Sequence, residues 1–198
     1  MSLDLRALLQ QFLNKCESDP DFALYNEAGL QHEVAWFLRK QFEGTKYHVQ
    51  LERNVDDIVN PIKISGCIKR EMDIFVYEKY GDEKYCIELK FPNKGAFPRR
   101  MYQTFEDVAF LEQLRFKGDF KGVALLFITS LNGFINGSSS KGIYQYFREK
   151  NCICQPDYSS MQEFLKDKKK FKPLDIKGQY RFEWLRFREQ YHYFMIAF

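Results

Sequence analysis

Two stretches rich in Val, Ile, Phe and Tyr, residues 68–77 and 85–91, flank a polar segment at 78–84 that contains one glycine. β-Branched and aromatic residues favour extended strands, and a short glycine-containing connection favours a turn. The pattern therefore predicts a β-hairpin within residues 66–92.

Strand periodicity puts three charged side chains on one face of this hairpin. Successive strand residues point to opposite faces, so Glu88 and Lys90 share a face of the second strand. If the turn holds an even number of residues, Asp73 lies on the same face and directly opposite one of them. The sequence thus predicts two carboxylates and one ammonium converging on a mostly apolar ribbon.

The rest of the chain predicts an α/β fold. Apolar residues recur at helical spacing in three segments, and the uninterrupted run at 122–129 is typical of a strand buried on both faces. The predicted elements are helices at 3–17, 26–42 and 99–116, strands at 47–55 and 122–129, and the two hairpin strands. Their order, helix-strand-strand-strand-helix-strand, indicates a mixed central sheet flanked by helices.

We expect one domain over residues 1–198, with a core at about 26–130 and with 3–17 and 142–198 packed around it. Short helices are predicted at 142–150 and 161–170, and the second ends in a basic run. The aromatic-rich segment 180–198 predicts a strand or helix that covers the sheet, since aromatic side chains more often bury than bind.

Composition narrows the class of protein. Aromatic residues make up 17% of the chain, which favours a packed core over disorder. The net charge of +3 is small, so binding of nucleic acid would have to rely on local basic patches. The longest apolar run, 123–128, falls far short of the ~20 residues that span a bilayer, so no membrane association is expected.

The cysteines favour a reducing compartment. An odd number, five, with only Cys152 and Cys154 closely spaced, indicates free thiols and a cytoplasmic protein. The Cys152–Cys154 pair has no nearby His or second Cys pair, so it makes a poor zinc site.

Charge on an apolar hairpin calls for compensation. Two carboxylates a few Å apart repel each other, and Lys90 could offset only one of the charges on Asp73 and Glu88. A hard divalent cation such as Mg²⁺, or Mn²⁺ in its place, prefers carboxylate oxygen and would supply the rest. The trio therefore indicates a metal site.

The pattern Met72-Asp73, 14 intervening residues, then Glu88-Leu89-Lys90 resembles the PD-(D/E)XK nuclease superfamily, with Met where the family name has Pro. The resemblance covers about 26–130 and implies a restriction-endonuclease-like core. It implies that Asp73, Glu88 and the Leu89 carbonyl bind the metal. Lys90 would position or help deprotonate the attacking water.

The family resemblance also suggests a further acid from the helix before the sheet. We assign that role to Glu33, at the margin of the apolar face of the 26–42 helix, as a catalytic residue and metal ligand that acts directly or through water. Glu27 is the alternative, although an acid at a helix N-terminus is also favoured by the helix dipole alone.

Basic residues follow the second hairpin strand. Lys94, Arg99 and Arg100 cluster where the chain leaves the proposed site, and they are candidates for phosphate contacts. Gln103 resembles the start of the Gln-x-x-x-Tyr element of RecB-type exonucleases. Asp107 stands in the Tyr position, which argues against that branch.

The acid-x-Lys tripeptide alone discriminates nothing, because it occurs five times in the chain. Only Glu88–Lys90 lies in an apolar strand with an aligned acid on its neighbour. An exposed salt-bridge ladder on the hairpin, or a structural domain with a coincidental charge trio, would explain the same residues.

The function expected from these features is a metal-dependent nuclease that hydrolyses phosphodiester bonds, with DNA endonuclease as the first choice and nucleic acid as the partner. A homodimer is compatible with the sequence. The alternative is a catalytically inactive, nuclease-like binding or regulatory module. No helix-turn-helix or zinc-finger reader is recognisable, so sequence-specific recognition is not predicted.

Overall fold

The computed structural model describes residues 2–60, 62–63, 66–149 and 174–198. Its helices are α1 (Leu5–Ser18), α2 (Glu27–Gln41), α3 (Phe97–Lys117) and α4 (Ile143–Arg148). Its strands are β1 (Tyr47–Asn54), β2 (Glu71–Glu78), β3 (Lys84–Lys90), β4 (Gly122–Thr129), β5 (Leu185–Phe187) and β6 (Tyr191–Ala197). The helix predicted at 161–170 and the Cys152–Cys154 pair lie outside the described residues.

The strands form one six-stranded mixed sheet in the order β1-β2-β3-β4-β6-β5. Helix α3 connects β3 to β4, and these two strands pair in parallel, while every other neighbouring pair is antiparallel. A helix is the usual crossover between parallel neighbours. The expected α/β class, with a mixed sheet flanked by helices, is confirmed.

Part of the C-terminal aromatic segment covers the sheet as expected, since Phe182 and Trp184 pack on Phe194, and the rest joins the sheet as strands. Strand β6 pairs along β4 and β5 pairs with β6, so this segment widens the sheet. Phe194 stacks on Phe127 and Phe182 at centroid distances of 4.9 and 4.6 Å. Burial of these rings, rather than exposure for base stacking, accounts for the aromatic composition of this segment.

The sheet separates two apolar cores. Helices α1 and α2 pack on one face, where alternate residues of β3 and β4 such as Ile87 and Leu126 are buried. Helix α3 packs on the other face, against Cys86 and Leu125. Strand β4 is buried along nearly its whole length, as the run at 122–129 predicted. No helix among the described residues has the length and apolar character needed to cross a bilayer.

Capping explains where α2 starts. The side chain of Asn26 accepts a hydrogen bond from the Gly29 backbone N–H at 2.7 Å, which satisfies one of the free amides of the first turn. This cap fixes Glu27 as the first residue of the helix, at the end of α2 that lies beside the carboxyl end of β3.

Glu112 fastens the C-terminal segment to α3. Its buried carboxylate accepts hydrogen bonds from the backbone N–H groups of Lys177 and Gly178, at 2.8 and 2.6 Å, and from the Tyr180 hydroxyl at 2.5 Å. Burial and then the hydrogen bond to Glu112 raise the pKa of the Tyr180 hydroxyl, so it remains a donor. Because both oxygens accept, this side chain fixes the segment that leads into β5.

We expect Glu112→Gln to lower the free energy of unfolding by about 1–3 kcal/mol, because an amide NH₂ would face a backbone donor that it cannot satisfy. Urea denaturation measures the change. Glu17→Gln, at an exposed position on α1, is the matched control and should stay within about 0.5 kcal/mol of the wild type. Equal stability of the two variants would contradict the anchoring role.

Candidate functional site

The hairpin register brings Asp73 and Glu88 together. Ile74 pairs with Ile87 and Phe75 with Cys86, and the same register continued by one residue sets Asp73 opposite Glu88. The Asp73 N–H donates to Glu88 Oε1 at 3.3 Å, and the Leu89 N–H donates to Asp73 Oδ2 at 2.8 Å. The two predicted carboxylates therefore lie on one face, and an arrangement that splays them apart is excluded.

Lys90 completes the predicted trio at the end of β3. Its Nζ lies 3.4 Å from Glu27 Oε1, and it donates to the Leu89 carbonyl at 3.2 Å. Glu88 is fully buried and Lys90 is 9% exposed, so an exposed salt-bridge ladder does not describe these residues.

Two further residues enter the site from outside the hairpin. Asp107, on α3, faces the hairpin with its Oδ2 at 3.1 Å from Lys90 Nζ. Lys69, just before β2, places its ammonium against Glu88 Oε2 and at 2.8 Å from Asp107 Oδ1. We call Lys69, Asp73, Glu88, Lys90 and Asp107 the ion cluster. It joins three carboxylates and two ammoniums between the hairpin and α3.

Asp107 links the two lysines, because each of its oxygens faces one of them. Its Oδ2 lies close to Lys90 but makes no hydrogen bond. Among the described residues, it is the buried side-chain oxygen without a hydrogen-bond partner. A buried acceptor without a donor is costly, which makes this oxygen a position where a further cation would be favoured.

The acid that α2 contributes is Glu27 rather than Glu33. Glu27 Oε2 accepts from the Phe91 N–H at 2.9 Å, and its other oxygen faces Lys90. Glu33 is half-buried near α1, where burial first and then the Glu33 charge raise the pKa of the Cys16 thiol to about 12. No hydrogen bond or ion pair among the described residues joins Glu33 to the cluster.

Helical phase explains this difference. Glu33 follows Glu27 by six positions, and at about 100° per residue the two side chains point to different sides of α2. The position of Glu27 in the first turn brings it to the end of β3, which the apolar pattern of the helix did not reveal.

Burial and the neighbouring charges shift the pKa values of the cluster residues. Burial, followed by the charge of Asp73, raises the pKa of Glu88, and burial also raises the pKa of Asp73 against the opposing charges of Lys69 and Lys90. Burial opposes the charge on Lys69, but Glu88 and Asp107 outweigh it and raise its pKa. We therefore assign the positive charge to Lys69 and any extra proton to the carboxylates.

The donor chemistry of the site suits a hard divalent cation. Asp73, Glu88 and the Leu89 carbonyl offer oxygen ligands, and the cluster has one more carboxylate than ammonium. Among the residues described, however, no group of three or more His, Cys, Asp or Glu side chains is arranged to hold a metal ion. The Lys69 ammonium lies against Glu88, so a metal would have to take the place of this cation.

The predicted phosphate-binding residues lie beside the cluster. Lys94, Arg99 and Arg100 are exposed around the start of α3, and Arg100 donates to the Gln103 side chain at 3.3 Å. Arg99 is near enough to the site that its charge counteracts the raised pKa of Glu106, which burial and then Asp107 produce. These three exposed side chains, which we call the basic rim, lie around the start of α3.

Comparison of the chain with protein-family models, with curated proteins and with solved structures finds no match.

We expect the ion cluster to make stability depend on pH in metal-free buffer. The pKa of Glu88 is about 8 in the folded chain against 4.5 for a free side chain, so the folded state retains a proton that the unfolded state releases. Stability from this group is therefore complete below the lower value and is lost as pH rises through the higher one. The raised pKa of Lys69 acts only in more alkaline solution.

Thermal unfolding of the wild type and of Glu88→Gln, from pH 4.5 to 8.5 with EDTA, tests this expectation. The wild type should lose melting temperature across the range relative to the variant, which has no carboxylate at this position to titrate. A wild type that gains stability relative to Glu88→Gln as pH rises would contradict the raised pKa.

Proposed function

We propose that this protein is a metal-dependent nuclease of the PD-(D/E)XK, restriction-endonuclease-like type that hydrolyses phosphodiester bonds of nucleic acid. DNA cut at internal positions is the substrate we put first. The observation that carries the proposal is the pairing of Asp73 with Glu88 across β2 and β3, beside Lys90. The order α2-β1-β2-β3-α3-β4 supports it, since the superfamily core has the same order.

The residues that would hold Mg²⁺ or Mn²⁺ are Asp73, Glu88 and the Leu89 carbonyl. Glu27 is the additional acid in place of Glu33. When bound, such an ion supplies Lewis acidity, which polarises the scissile phosphate and acidifies a water. Asp73 is fixed for this role because the Leu89 N–H holds one of its oxygens, and the Asp73 N–H in turn contacts Glu88.

Lys90 would act on the attacking water and on the developing charge. Its ammonium lies at the carboxyl end of β3, and the charge of Asp107 keeps it protonated by raising its pKa against the effect of burial. A fixed cation at this position can orient a water through a hydrogen bond and stabilise the negative charge that grows on the phosphate. Lys94, Arg99 and Arg100 would contact phosphates on either side of the cut.

We expect Glu88→Ala and Lys90→Ala each to reduce Mg²⁺-dependent nicking of plasmid DNA by about 10²-fold or more, because each removes a group that acts on the reacting phosphate. Supercoiled plasmid is incubated with 5–10 mM MgCl₂, on the order of the concentrations such sites require. Nicking is measured on agarose gels, and circular dichroism verifies folding.

The matched controls are Asp175→Ala and Lys177→Ala. These residues have the same acid-x-Lys spacing, but they form an exposed ion pair with each other at 2.5 Å, away from the hairpin. Both controls should cut like the wild type. Full activity of Glu88→Ala would contradict its role as a metal ligand, and full activity of Lys90→Ala would contradict its role at the attacking water.

One observation favours the alternative, a nuclease-like module without catalysis. The Lys69 ammonium already contacts both Glu88 and Asp107, so the cluster has an internal cation before any metal binds. We expect calorimetric titration with millimolar MnCl₂ to detect binding if the protein is a nuclease. Absence of heat of binding with the wild type, with or without DNA, together with no cleavage, would favour the module.

A further inference from the structure

Lys69 differs from Lys90 in how it is held. It comes from the connection that precedes β2, and its side chain is 27% exposed, against 11% for Lys90. Its ammonium lies 5.5 Å from the centre of the Phe110 ring, which supports its approach from the α3 side. The Lys69 side chain is thus the less buried of the two, although its ammonium contacts the buried carboxylates of Glu88 and Asp107.

The Lys69 ammonium lies where the carboxylates of the cluster are stabilised by a positive charge. It contacts Glu88, a proposed metal ligand, and Asp107, which faces the same space. An ammonium and a divalent cation at the same carboxylate compete for its lone pairs and repel each other, so the Lys69 ammonium opposes metal binding at Glu88.

We propose that Lys69 is a tethered competitor for the metal position, whose ammonium must leave Glu88 and Asp107 before a divalent cation can bind. This inference rests on the proposed function, and it assigns to Lys69 the regulation of that site. At rest the side chain closes the cluster and stabilises the apo protein. On metal binding the ammonium turns outward, toward solvent.

The competition has a measurable consequence for affinity. A ligand that must displace a bound group has a higher apparent dissociation constant than it would have at the open site. The increase equals the factor by which the protein favours the closed form, with the group bound, over the open form. Removal of the ammonium should therefore strengthen metal binding, although it also removes a favourable ion pair from the apo protein. A variant without it should be less stable in EDTA and should gain more from metal than the wild type.

The experiment titrates MnCl₂ alone into wild type and Lys69→Met by calorimetry at pH 7.5, and it measures melting temperatures with EDTA and with MnCl₂. Met has a similar length and can still pack on Phe110. We expect at least tenfold tighter binding in Lys69→Met, a lower melting temperature in EDTA, and a larger rise with metal. Lys69→Arg, which keeps the charge, should bind no more tightly than the wild type.

Lys63→Met is the matched control. It removes a positive charge from the same connection, but this ammonium pairs with Asp119 at 2.6 Å, on an exposed part of the surface. Its metal affinity should equal that of the wild type. If Lys69→Met does not fold in EDTA, Lys69→Gln serves in its place, since its amide can still donate to Glu88 without a charge.

The outcomes separate the two proposals. If wild type binds metal and cuts DNA but neither Lys69 variant binds more tightly, the competitor role is overturned and the nuclease proposal stands. If no variant binds metal and the wild type does not cut, the nuclease proposal fails, and Lys69 is a permanent structural cation. If Lys63→Met tightens binding as much as Lys69→Met, net charge rather than competition is the cause.

Discussion

Holding three carboxylates and two ammoniums between a sheet and a helix is costly, because each group loses much of its hydration. In the ion cluster this cost is offset by close pairing. Lys69 and Lys90 each contact Asp107, and Asp73 is held by the Leu89 backbone. Replacement of such a cluster by apolar side chains often leaves a protein equally stable, so fold stability alone is a weak reason to keep it. The proposed chemistry would be a stronger reason.

The rest of the structure holds the cluster in place. Helix α3 must lie so that Asp107 faces the hairpin, and it is buried on several sides at once. Phe105, on the same helix, packs against Phe147 and Phe182 at centroid distances of 6.0 and 5.3 Å, and Glu112 anchors the chain that follows. The aromatic C-terminal segment thus acts on the site indirectly, because it fixes the helix that supplies the third carboxylate.

Strand periodicity was enough to predict which hairpin residues meet. Parity alone put Asp73, Glu88 and Lys90 on one face, and the register agrees. The uninterrupted apolar run likewise predicted β4, which lies beside β3 and pairs with it in parallel. These features depend on the alternation of side chains along a strand and on burial, and both can be predicted from the order of apolar and polar residues.

What the sequence could not predict depends on how separate elements approach one another. Asp107 was noticed only as a departure from an exonuclease element, although an acid beside the buried apolar residues Phe105, Val108 and Phe110 of α3 is a usable signal. Lys69 lies in an irregular connection, where no periodicity fixes the direction of a side chain. The choice between Glu27 and Glu33 required the rotation of α2 about its axis, which its apolar face defines only coarsely.

The charge balance of the cluster connects these details. With three carboxylates and two ammoniums, one negative charge needs a further partner, and Asp107 Oδ2 is the buried oxygen left without a hydrogen bond in the described structure. A proton can balance one negative charge, and burial followed by the charge of Asp73 raises the pKa of Glu88 so that this residue holds it. A divalent cation that replaced one ammonium would balance that charge too, since two charges would take the place of one. Of the two lysines, Lys69 is the more exposed, so it is the one that can be exchanged at the lower cost.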